Sequence, residues 1–330
     1  MTTKIWKRAI SVGVGICIRV LACAGYAQAQ VQNYPNKAVR IICPNGVGDT
    51  ADILARLIGV KLGERLNRQF IVDNRSGAAG QLGLELAARA APDGYTIATG
   101  QGTSLAIVPH TYKNPRYDPL KDFAHIAVVA TSYSALVVHP GTPFKTIKEL
   151  ITYGRANPNK LTAASGSELG FQHLSFELLR LQSGARFVHV PYKGSAAIVS
   201  DLISGQVDLS MSSYTAFAPH IRSGRMRMLA ITNPTRVPLL PNVPALAEFV
   251  PGYDMRGWYG FVAPAAVPRE IVNLLNVEIN RATALPDVRD KLIQAGLDIP
   301  SESAEYFTDL IRRESAKFGK LVRDAGLTPQ

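Results

Sequence analysis

Long apolar runs and nucleotide-binding glycine loops are missing from most of this 330-residue chain. After residue 29 no segment reaches the ~20 apolar residues that a membrane-spanning helix requires, so the remainder is expected to be soluble. No Gly-x-x-x-x-Gly-Lys loop occurs, and Gly46 and Gly48 are not followed by the third glycine of a dinucleotide fingerprint. The Gly-x-Ser-x-Gly elbow of α/β-hydrolases is also missing. No cofactor is therefore expected.

Cysteine is scarce, with Cys17, Cys23 and Cys43 as its three occurrences. If the first 29 residues are a cleaved leader, Cys43 remains alone. A disulfide within the mature chain is then excluded. A lone cysteine among scattered histidines also lacks the spacing of a structural zinc site, so no metal is expected.

Charge is present mainly as dispersed basic residues, 36 Lys and Arg against 25 Asp and Glu. No arginine-rich or aromatic-interleaved stretch accompanies this excess, so nucleic acid is not expected as a partner. A hydrophobic fraction of 47% and a charged fraction of 18% are typical of globular proteins. The composition predicts a basic globular protein that attracts anionic solutes.

The N-terminus has the layout of a secretory signal. Basic residues precede an apolar stretch at 9–18, and Ala27-Gln28-Ala29 offers small residues for cleavage. The pattern predicts a signal peptide at residues 1–29 and export to the periplasm. One alternative stays open, because residues 20–23 resemble a lipoprotein processing box and would place a lipid anchor on Cys23.

Strand-like and helix-like segments alternate after the leader. The first set comprises strands at 39–43, 70–72 and 95–99 with helices at about 50–66 and 80–90. The apolar stripe expected on the first helix is Ile53, Leu54, Leu57, Ile58, Leu62 and Leu66. The second set comprises strands at 160–164, 186–190, 207–210 and 227–231 with helices at 170–182 and 196–204. This alternation predicts parallel sheets covered by helices on both faces.

Two extended segments are predicted to cross between these units, one around Ser132-Tyr133-Ser134 and one at 257–262. Helices at 271–284, 288–295 and 304–325 then pack back on the first unit. The predicted architecture is α/β with two lobes, residues 30–132 and 257–330 forming lobe 1 and residues 133–256 forming lobe 2. Two connecting strands provide a hinge.

Four segments lie where such sheets bind ligands, at the carboxyl ends of strands. They are residues 44–52, 100–104, 164–173 and 188–195. In the first, Asp49 and Asp52 compete for the start of a helix, and Asp52 is expected to cap it. A hydrolase using Ser165 and His173 is the enzymatic alternative, although no acidic partner for the histidine is evident.

A series of ordered motifs runs through the mature chain. They are Tyr34-Pro35-x-Lys37, Pro44-x-x-x-Gly48-x-x-x-Asp52, Asn74-Arg75-x-Gly77-Ala78-x-Gly80, Ala91-Pro92-Asp93-Gly94-Tyr95-Thr96, Tyr117-Asp118-Pro119-x-Lys121-Asp122-Phe123, His189-Val190-Pro191-Tyr192-Lys193-Gly194-Ser195, Gly205-Gln206-Val207-Asp208 and Leu240-Pro241-Asn242-Val243-Pro244. Together they resemble the substrate-binding proteins of tripartite tricarboxylate transporters, the Bug family. The resemblance covers essentially the whole mature chain.

The resemblance implies a periplasmic-binding-protein fold of type II character, a closing cleft and no catalysis. It also implies capture of a small organic acid and its delivery to the permease subunits of a membrane transporter. A monomer is expected, and a sensor subunit for a signalling partner is an alternative with the same fold. The implied ligand-binding residues are Asn45, Val47, Gly48, Asp49, Thr50, Asp52, Gly102, Thr103, Ser104, Ser165, Gly170, Phe171, His173, Tyr192, Lys193 and Ser212.

Several of these positions depart from the family pattern. An aromatic residue is usual where Asn45 stands, a glycine where Asp49 stands and an acidic residue where Ser212 stands. Glu168 adds a second carboxylate to the third segment, and Phe171 offers a ring for stacking. Carboxylates repel a multiply charged anion more strongly as water is excluded. The expected ligand is therefore a monocarboxylate, an aromatic acid or an amide-bearing acid rather than citrate.

Overall fold

The computed structural model of the chain describes residues 33–192 and 195–330. Within these ranges the strands are, in chain order, β1 (Val39–Cys43), β2 (Phe70–Asn74), β3 (Thr96–Gln101), β4 (Phe123–Ser132), β5 (Ser134–Val138), β6 (Leu161–Ser165), β7 (Phe187–Pro191), β8 (Leu209–Ser213), β9 (Arg227–Ile231), β10 (Gly257–Pro264) and β11 (Leu297–Asp298). The predicted signal peptide with Cys23, and Lys193 in the fourth segment, lie outside the described residues.

Helices follow most of these strands. They are α1 (Thr50–Leu66), α2 (Gln81–Ala88), α3 (Val108–Thr111), α4 (Ile147–Ala156), α5 (Phe171–Ser183), α6 (Ser195–Ser204), α7 (Tyr214–Arg222), α8 (Arg269–Ala284), α9 (Pro286–Gln294) and α10 (Ala304–Asp324). A π-helical turn at Thr103–Ile107 leads from β3 into α3. No helix in residues 33–192 or 195–330 combines the length and the apolar character needed to cross a bilayer.

The strands form two separate mixed sheets, which define the first and second lobes. In the first lobe the strand order is β11-β4-β10-β3-β1-β2, and in the second it is β7-β6-β8-β5-β9. β1 runs parallel to β2 and β3, and β6 runs parallel to β7 and β8. β10 and β5 run antiparallel to their neighbours. The sheets expected to be all parallel are thus mixed, because strands at the crossings enter from the opposite lobe.

The chain passes between the lobes twice among the described residues. β4 ends at Ser132 and β5 begins at Ser134, so Tyr133 alone separates a strand of the first sheet from one of the second. The return passage leaves β9 and reaches β10 through residues 232–256, where the Met255 N–H donates to the Thr232 carbonyl over 3.0 Å. This arrangement confirms the predicted two-lobed α/β fold with two connections.

Apolar clusters cover both faces of each sheet. In the first lobe Leu54, Ile58 and Phe261 pack with Leu275 of α8 on one face. A second cluster joins the other face to the second lobe and includes Leu105, Leu136, Phe176 and Phe307. A third cluster fills the space under α6 and α7. Burial of this apolar area is the main stabilising contribution to each lobe.

The buried stripe of α1 differs in part from the predicted one. Leu54, Ile58 and Leu62 are buried as expected, but Ile53 is 51% exposed. Two small residues, Ala51 and Ala55, occupy the buried face instead. Ile53 was wrongly placed because the helix packs close to β1 and β2, and small side chains permit that approach.

Helix α4 was not predicted, although the sequence carries a signal for it. The Glu149 N–H donates to Thr146 Oγ1 over 3.2 Å, and the Thr146 N–H donates to the Glu149 carboxylate over 3.2 Å. This is a capping box, which Thr-x-x-Glu announces in sequence. The helix follows the first crossing and covers the second sheet.

Candidate functional site

A cavity of about 1130 Å³ lies between the two lobes. It is lined by segments of both sheets, which places it at the carboxyl ends of several strands. The first lobe and the crossings contribute Asn45, Gly48, Asp49, Thr50, Ala79, Gln101, Gly102, Thr103, Ile107, Val108, Thr111, Tyr112, Ser132, Gly257, Trp258, Tyr259 and Gln330. The second lobe contributes Ser134, Gly166, Ser167, Glu168, Leu169, Gly170, Phe171, Gln172, Ser212, Ser213, Thr215 and Ala216.

The first predicted segment brings the start of α1 to the cavity wall. Asp49 is the N-cap residue, and its carboxylate accepts a hydrogen bond from the Ala51 N–H over 3.0 Å. The expectation that Asp52 caps the helix is wrong. Asp52 lies in the first turn, where its carboxylate accepts from the Gly48 N–H over 2.9 Å and so closes the preceding loop. Asp49 is the N-cap residue because its backbone has the extended conformation that an N-cap requires, whereas Asp52 is already helical.

Asp52 is 2% exposed and supports the loop from behind the cavity wall. It pairs with Arg56 at 2.9 Å, and Asn74 Nδ2 donates to it over 2.8 Å. The same Asn74 amide donates to the Asn45 carbonyl over 3.1 Å. Burial raises the pKa of Asp52, but hydrogen bonds from Arg56, Gly48 and Asn74 outweigh burial and hold that pKa below its usual value.

The second segment is a continuous strand and helical turn rather than a loop. β3 runs to Gln101, and Gly102 and Thr103 lie on the cavity wall. Ser104 is fully buried, and its hydroxyl donates to the Gln101 carbonyl over 3.2 Å. Gly102 and Thr103 are thus brought to the cavity, while Ser104 fixes the turn behind them.

The third segment supplies the facing wall from the second lobe. It runs from Gly166 to Gln172, where α5 begins with Gly170 as the N-cap residue. The Gln172 side chain accepts from the Gly166 N–H, and its Nε2 donates to Ser212 Oγ over 2.8 Å. Glycine offers no side-chain cap, and Gly170, Phe171 and Gln172 line the cavity, so the start of α5 borders the cavity without a capping side chain.

Ser165 and His173 lie behind this wall rather than on it. Ser165 is fully buried and its hydroxyl donates to the Ser167 carbonyl over 2.8 Å. His189 Nε2 lies 2.6 Å from Ser165 Oγ. Because the Ser165 hydroxyl already donates to Ser167, the neutral His189 ring donates to Ser165 from Nε2. His173 stacks on His189 with ring centroids 3.7 Å apart, and burial followed by this neighbour lowers the pKa of His189 to about 4. The two stacked imidazoles are uncharged at neutral pH and pack beneath the third segment.

Trp258 and Tyr259 form the floor of the cavity where β10 leaves the second crossing. Trp258 is 3% exposed, and its indole Nε1 has no hydrogen-bond partner among the described residues. Tyr259 lies near Thr50, and burial, together with the charge of Asp49, raises the pKa of its phenol to about 12. Sequence reasoning placed these residues on a crossing but did not include them in the site. Adjacent aromatic residues at a predicted hinge were the available signal.

Two more predicted residues lie off the cavity wall. Val47 is 78% exposed and points to solvent. The Tyr192 hydroxyl donates to Asp201 over 2.7 Å and so holds the fourth segment against α6. Burial and this carboxylate raise the pKa of Tyr192 to about 12.

The described wall of the cavity carries hydroxyls, amides and two side-chain carboxylates, Asp49 and Glu168, but no lysine, arginine or histidine side chain. Neither carboxylate forms an ion pair with a described residue. Asp49 belongs to the first lobe and Glu168 to the second, so acidic side chains lie on opposite walls of the cavity. Phe171 bridges the lobes at the rim, with its ring centroid 6.5 Å from that of Phe318 on α10.

Two α/β lobes, two crossings and a polar cavity between helix starts define a two-lobed solute-binding protein. A family profile described as "Tripartite tricarboxylate transporter family receptor" matches residues 54–327. The chain belongs to this family, which includes proteins named Bug, and the predicted resemblance is confirmed. Members of this family are periplasmic receptors of transporters that bind carboxylate solutes.

Individual relatives match nearly the whole chain. A Pseudomonas sp. (strain P51) protein from the tcbD-tcbE intergenic region is 36% identical over 310 residues, covering 93% of this chain and 92% of the relative. BugT of Bordetella pertussis is 31% identical over 320 residues, covering 95% and 96%. An R. palustris protein solved with adipate is 33% identical with a TM-score of 0.80, covering 90% of this chain and all of that one.

Proposed function

We propose that this receptor captures a small organic acid in the cavity between its lobes and closes around it by bending at the two crossings. The observation that carries the proposal is the convergence of the α1 and α5 starts on one cavity from opposite lobes. The lobes are residues 30–132 with 257–330, and 133–256. The division of the strands between two sheets supports these boundaries.

The ligand carboxylate binds at the start of α5. Gly170 leaves the first N–H groups of this helix without a side-chain acceptor, and the helix dipole favours an anion there. Gln172, Ser212 and the hydroxyls nearby complete the second-lobe contacts, directly or through water. The other predicted residues on the wall are Asn45, Gly48, Asp49, Thr50, Gly102, Thr103 and Phe171. Adipate bound to the R. palustris relative supports an acid as ligand.

Export and delivery complete the proposed role. Residues 1–29 direct the chain to the periplasm, where it acts as a monomer and presents its ligand to the permease subunits of a tripartite transporter. The basic n-region and the Ala27-Gln28-Ala29 cleavage pattern support export. Anchoring through a lipid on Cys23 is the alternative. Mass spectrometry of the exported protein distinguishes cleavage after Ala29 from a lipid attached to Cys23.

A binding role is favoured over catalysis at this cavity. The hydrolase alternative requires Ser165 as an accessible nucleophile. This serine is fully buried, and its hydroxyl donates a hydrogen bond to the Ser167 carbonyl. His173, the proposed base, accepts from the Leu169 N–H over 3.1 Å and is stacked on His189. Neither group is positioned to act on a ligand.

Thermal-shift and calorimetric titration of the mature protein against linear and aromatic acids tests the proposal. A ligand that binds the folded state raises the melting temperature, and the added stability grows with the logarithm of the ligand concentration divided by Kd. The ligand should be recovered chemically intact by mass spectrometry after prolonged incubation. Failure of every acid to bind, or recovery of a reaction product, would overturn the proposed function.

A further inference from the structure

The two helix starts that face the cavity differ in charge. At α1 the N-cap carboxylate of Asp49 already accepts from the Ala51 N–H, so an acidic group occupies that anion-binding position. At α5 the N-cap is Gly170, and no side chain caps the helix. A dicarboxylate spanning the cavity would meet free N–H groups at one end and an acidic side chain at the other.

The first-lobe wall also carries a second acceptor. Asn45 lines the cavity, and its Oδ1 is buried without a hydrogen-bond partner among the described residues. Asn45 and Asp49 lie on the same short segment before α1. An N–H donor is the ligand group that satisfies a carboxylate and an amide oxygen together.

The cavity floor carries a hydrogen-bond donor instead of an acceptor. Trp258 is 3% exposed, and its Nε1 is an unpartnered donor among the described residues. A buried donor without a partner is costly, and a ligand oxygen would remove that cost. The site therefore favours a ligand with an oxygen acceptor directed toward Trp258 and the start of α5. The other end of that ligand would carry a nitrogen donor directed toward Asp49 and Asn45.

We infer that the ligand is a bifunctional acid, with a carboxylate at one end and an ammonium or amide nitrogen at the other, and that Asp49 selects it over a dicarboxylate. The inference rests on the proposed function and specifies its ligand. Closure strengthens the selection, because removal of water raises the cost of placing two carboxylates together.

Matched ligand series test the inference. Dicarboxylates of four to eight carbons are titrated calorimetrically beside the ω-amino acids and monoamides of equal length, such as adipate, 6-aminohexanoate and adipamate. The tightest amino or amide ligand should bind at least tenfold more tightly than its dicarboxylate counterpart. Asp49→Asn should reduce this ratio at least tenfold, since asparagine keeps the helix cap and removes the charge.

The outcomes separate the inference from the proposed function. Dicarboxylates that bind as tightly as, or more tightly than, their counterparts would overturn the inference and leave the receptor role standing. An unchanged ratio in Asp49→Asn would also overturn it. If no member of any series binds but another acid of the thermal-shift panel does, the inference fails and the receptor role stands. If no acid of either set binds, both fail. The melting temperature of unliganded Asp49→Asn, compared with the wild type, confirms that the variant is folded.

Discussion

The phenol of Tyr133 donates a hydrogen bond to the carboxylate of Asp298 at the point where the chain first passes between the lobes. Tyr133 separates β4 from β5, and Asp298 belongs to β11, which pairs with the end of β4. Burial, followed by the hydrogen bond to Asp298, raises the pKa of the Tyr133 phenol, so the group stays protonated and keeps donating. The contact fixes one end of the hinge to the first sheet.

Replacing Tyr133 with phenylalanine tests this contact. A hydrogen bond to a charged acceptor contributes about 1.5–3 kcal/mol, and the free energy of unfolding in urea should fall by that amount. Tyr306→Phe is the matched control, because Tyr306 is 36% exposed and its hydroxyl has no partner among the described residues. Equal losses in both variants would show that the Tyr133 contact does not stabilise the fold.

Asp52→Asn should destabilise the protein without removing the cavity. The change retains the shape of the side chain but removes its charge and replaces one of the two oxygens that accept from Gly48, Arg56 and Asn74 with an NH2 donor. A loss of about 2–3 kcal/mol is therefore expected. Because the pKa of folded Asp52 is lowered, its contribution is complete above ~3.9 and disappears as the pH falls through the folded value.

Urea titrations of Asp52→Asn at pH 7 and at pH 3 measure this contribution. The difference from wild type should shrink at the lower pH. Asp309→Asn on α10 is the control, since Asp309 and its partner Arg312 are both exposed. Its loss should stay under about 0.5 kcal/mol. A pH-independent loss in Asp52→Asn would contradict the assigned protonation.

Stability should also fall as the pH is lowered from neutral because of His189. The pKa of folded His189 is about 4, whereas an unfolded histidine titrates near ~6.5, so between these values the unfolded chain binds the proton and the folded chain does not. The stabilising effect is complete above the unfolded value and is lost as the pH falls toward the folded one.

His189→Gln isolates this effect. The free-energy difference between wild type and variant should change by about 1–2 kcal/mol between pH 7 and pH 5, with the wild type losing more. His139→Gln, in the same lobe but away from the stacked pair, controls for loss of an imidazole. Parallel pH profiles for wild type and His189→Gln would refute the prediction.

Trp258→Phe should lower ligand affinity about five- to tenfold, because a ligand oxygen loses one donor. Stability without ligand should change less than for a buried Trp-to-Ala replacement, since the removed N–H had no partner. Gly102→Ala gives an independent test. A methyl group there would lie 3.3 Å from the indole nitrogen, so the Trp258 ring would have to shift. Unchanged calorimetric affinity in both variants would exclude a role for this N–H.

Sequence patterns predicted the strands and helices well, because buried strands require apolar runs and the order of the motifs follows the order of the strands. β1 and β9 have the bounds that their apolar runs indicated. The direction of β5 and β10 was not predictable from such runs, since antiparallel pairing depends on which strand the chain reaches after crossing. The alternation of segments and the two crossings predicted the two lobes, and the family resemblance added the closing cleft and the class of ligand.

The cavity was predictable in its loops and less so in its side chains. Asn45, Asp49, Gly102, Gly170 and Ser212 line it. Ser165, His173 and Asp52 share the same segments but point behind the wall, because each satisfies a buried partner there. Trp258 and Gln172 reach the cavity from strand and helix starts, and a sequence pattern does not reveal which way such a side chain turns.

A crystal structure of the mature protein with its tightest acid is the most direct test of the binding mechanism. The ligand should lie between residues 45–50 and 166–172, with a carboxylate at the start of α5 and the lobes closer together than without ligand. A ligand bound to one lobe alone, or outside the cavity with the lobes unmoved, would contradict capture by hinge closure.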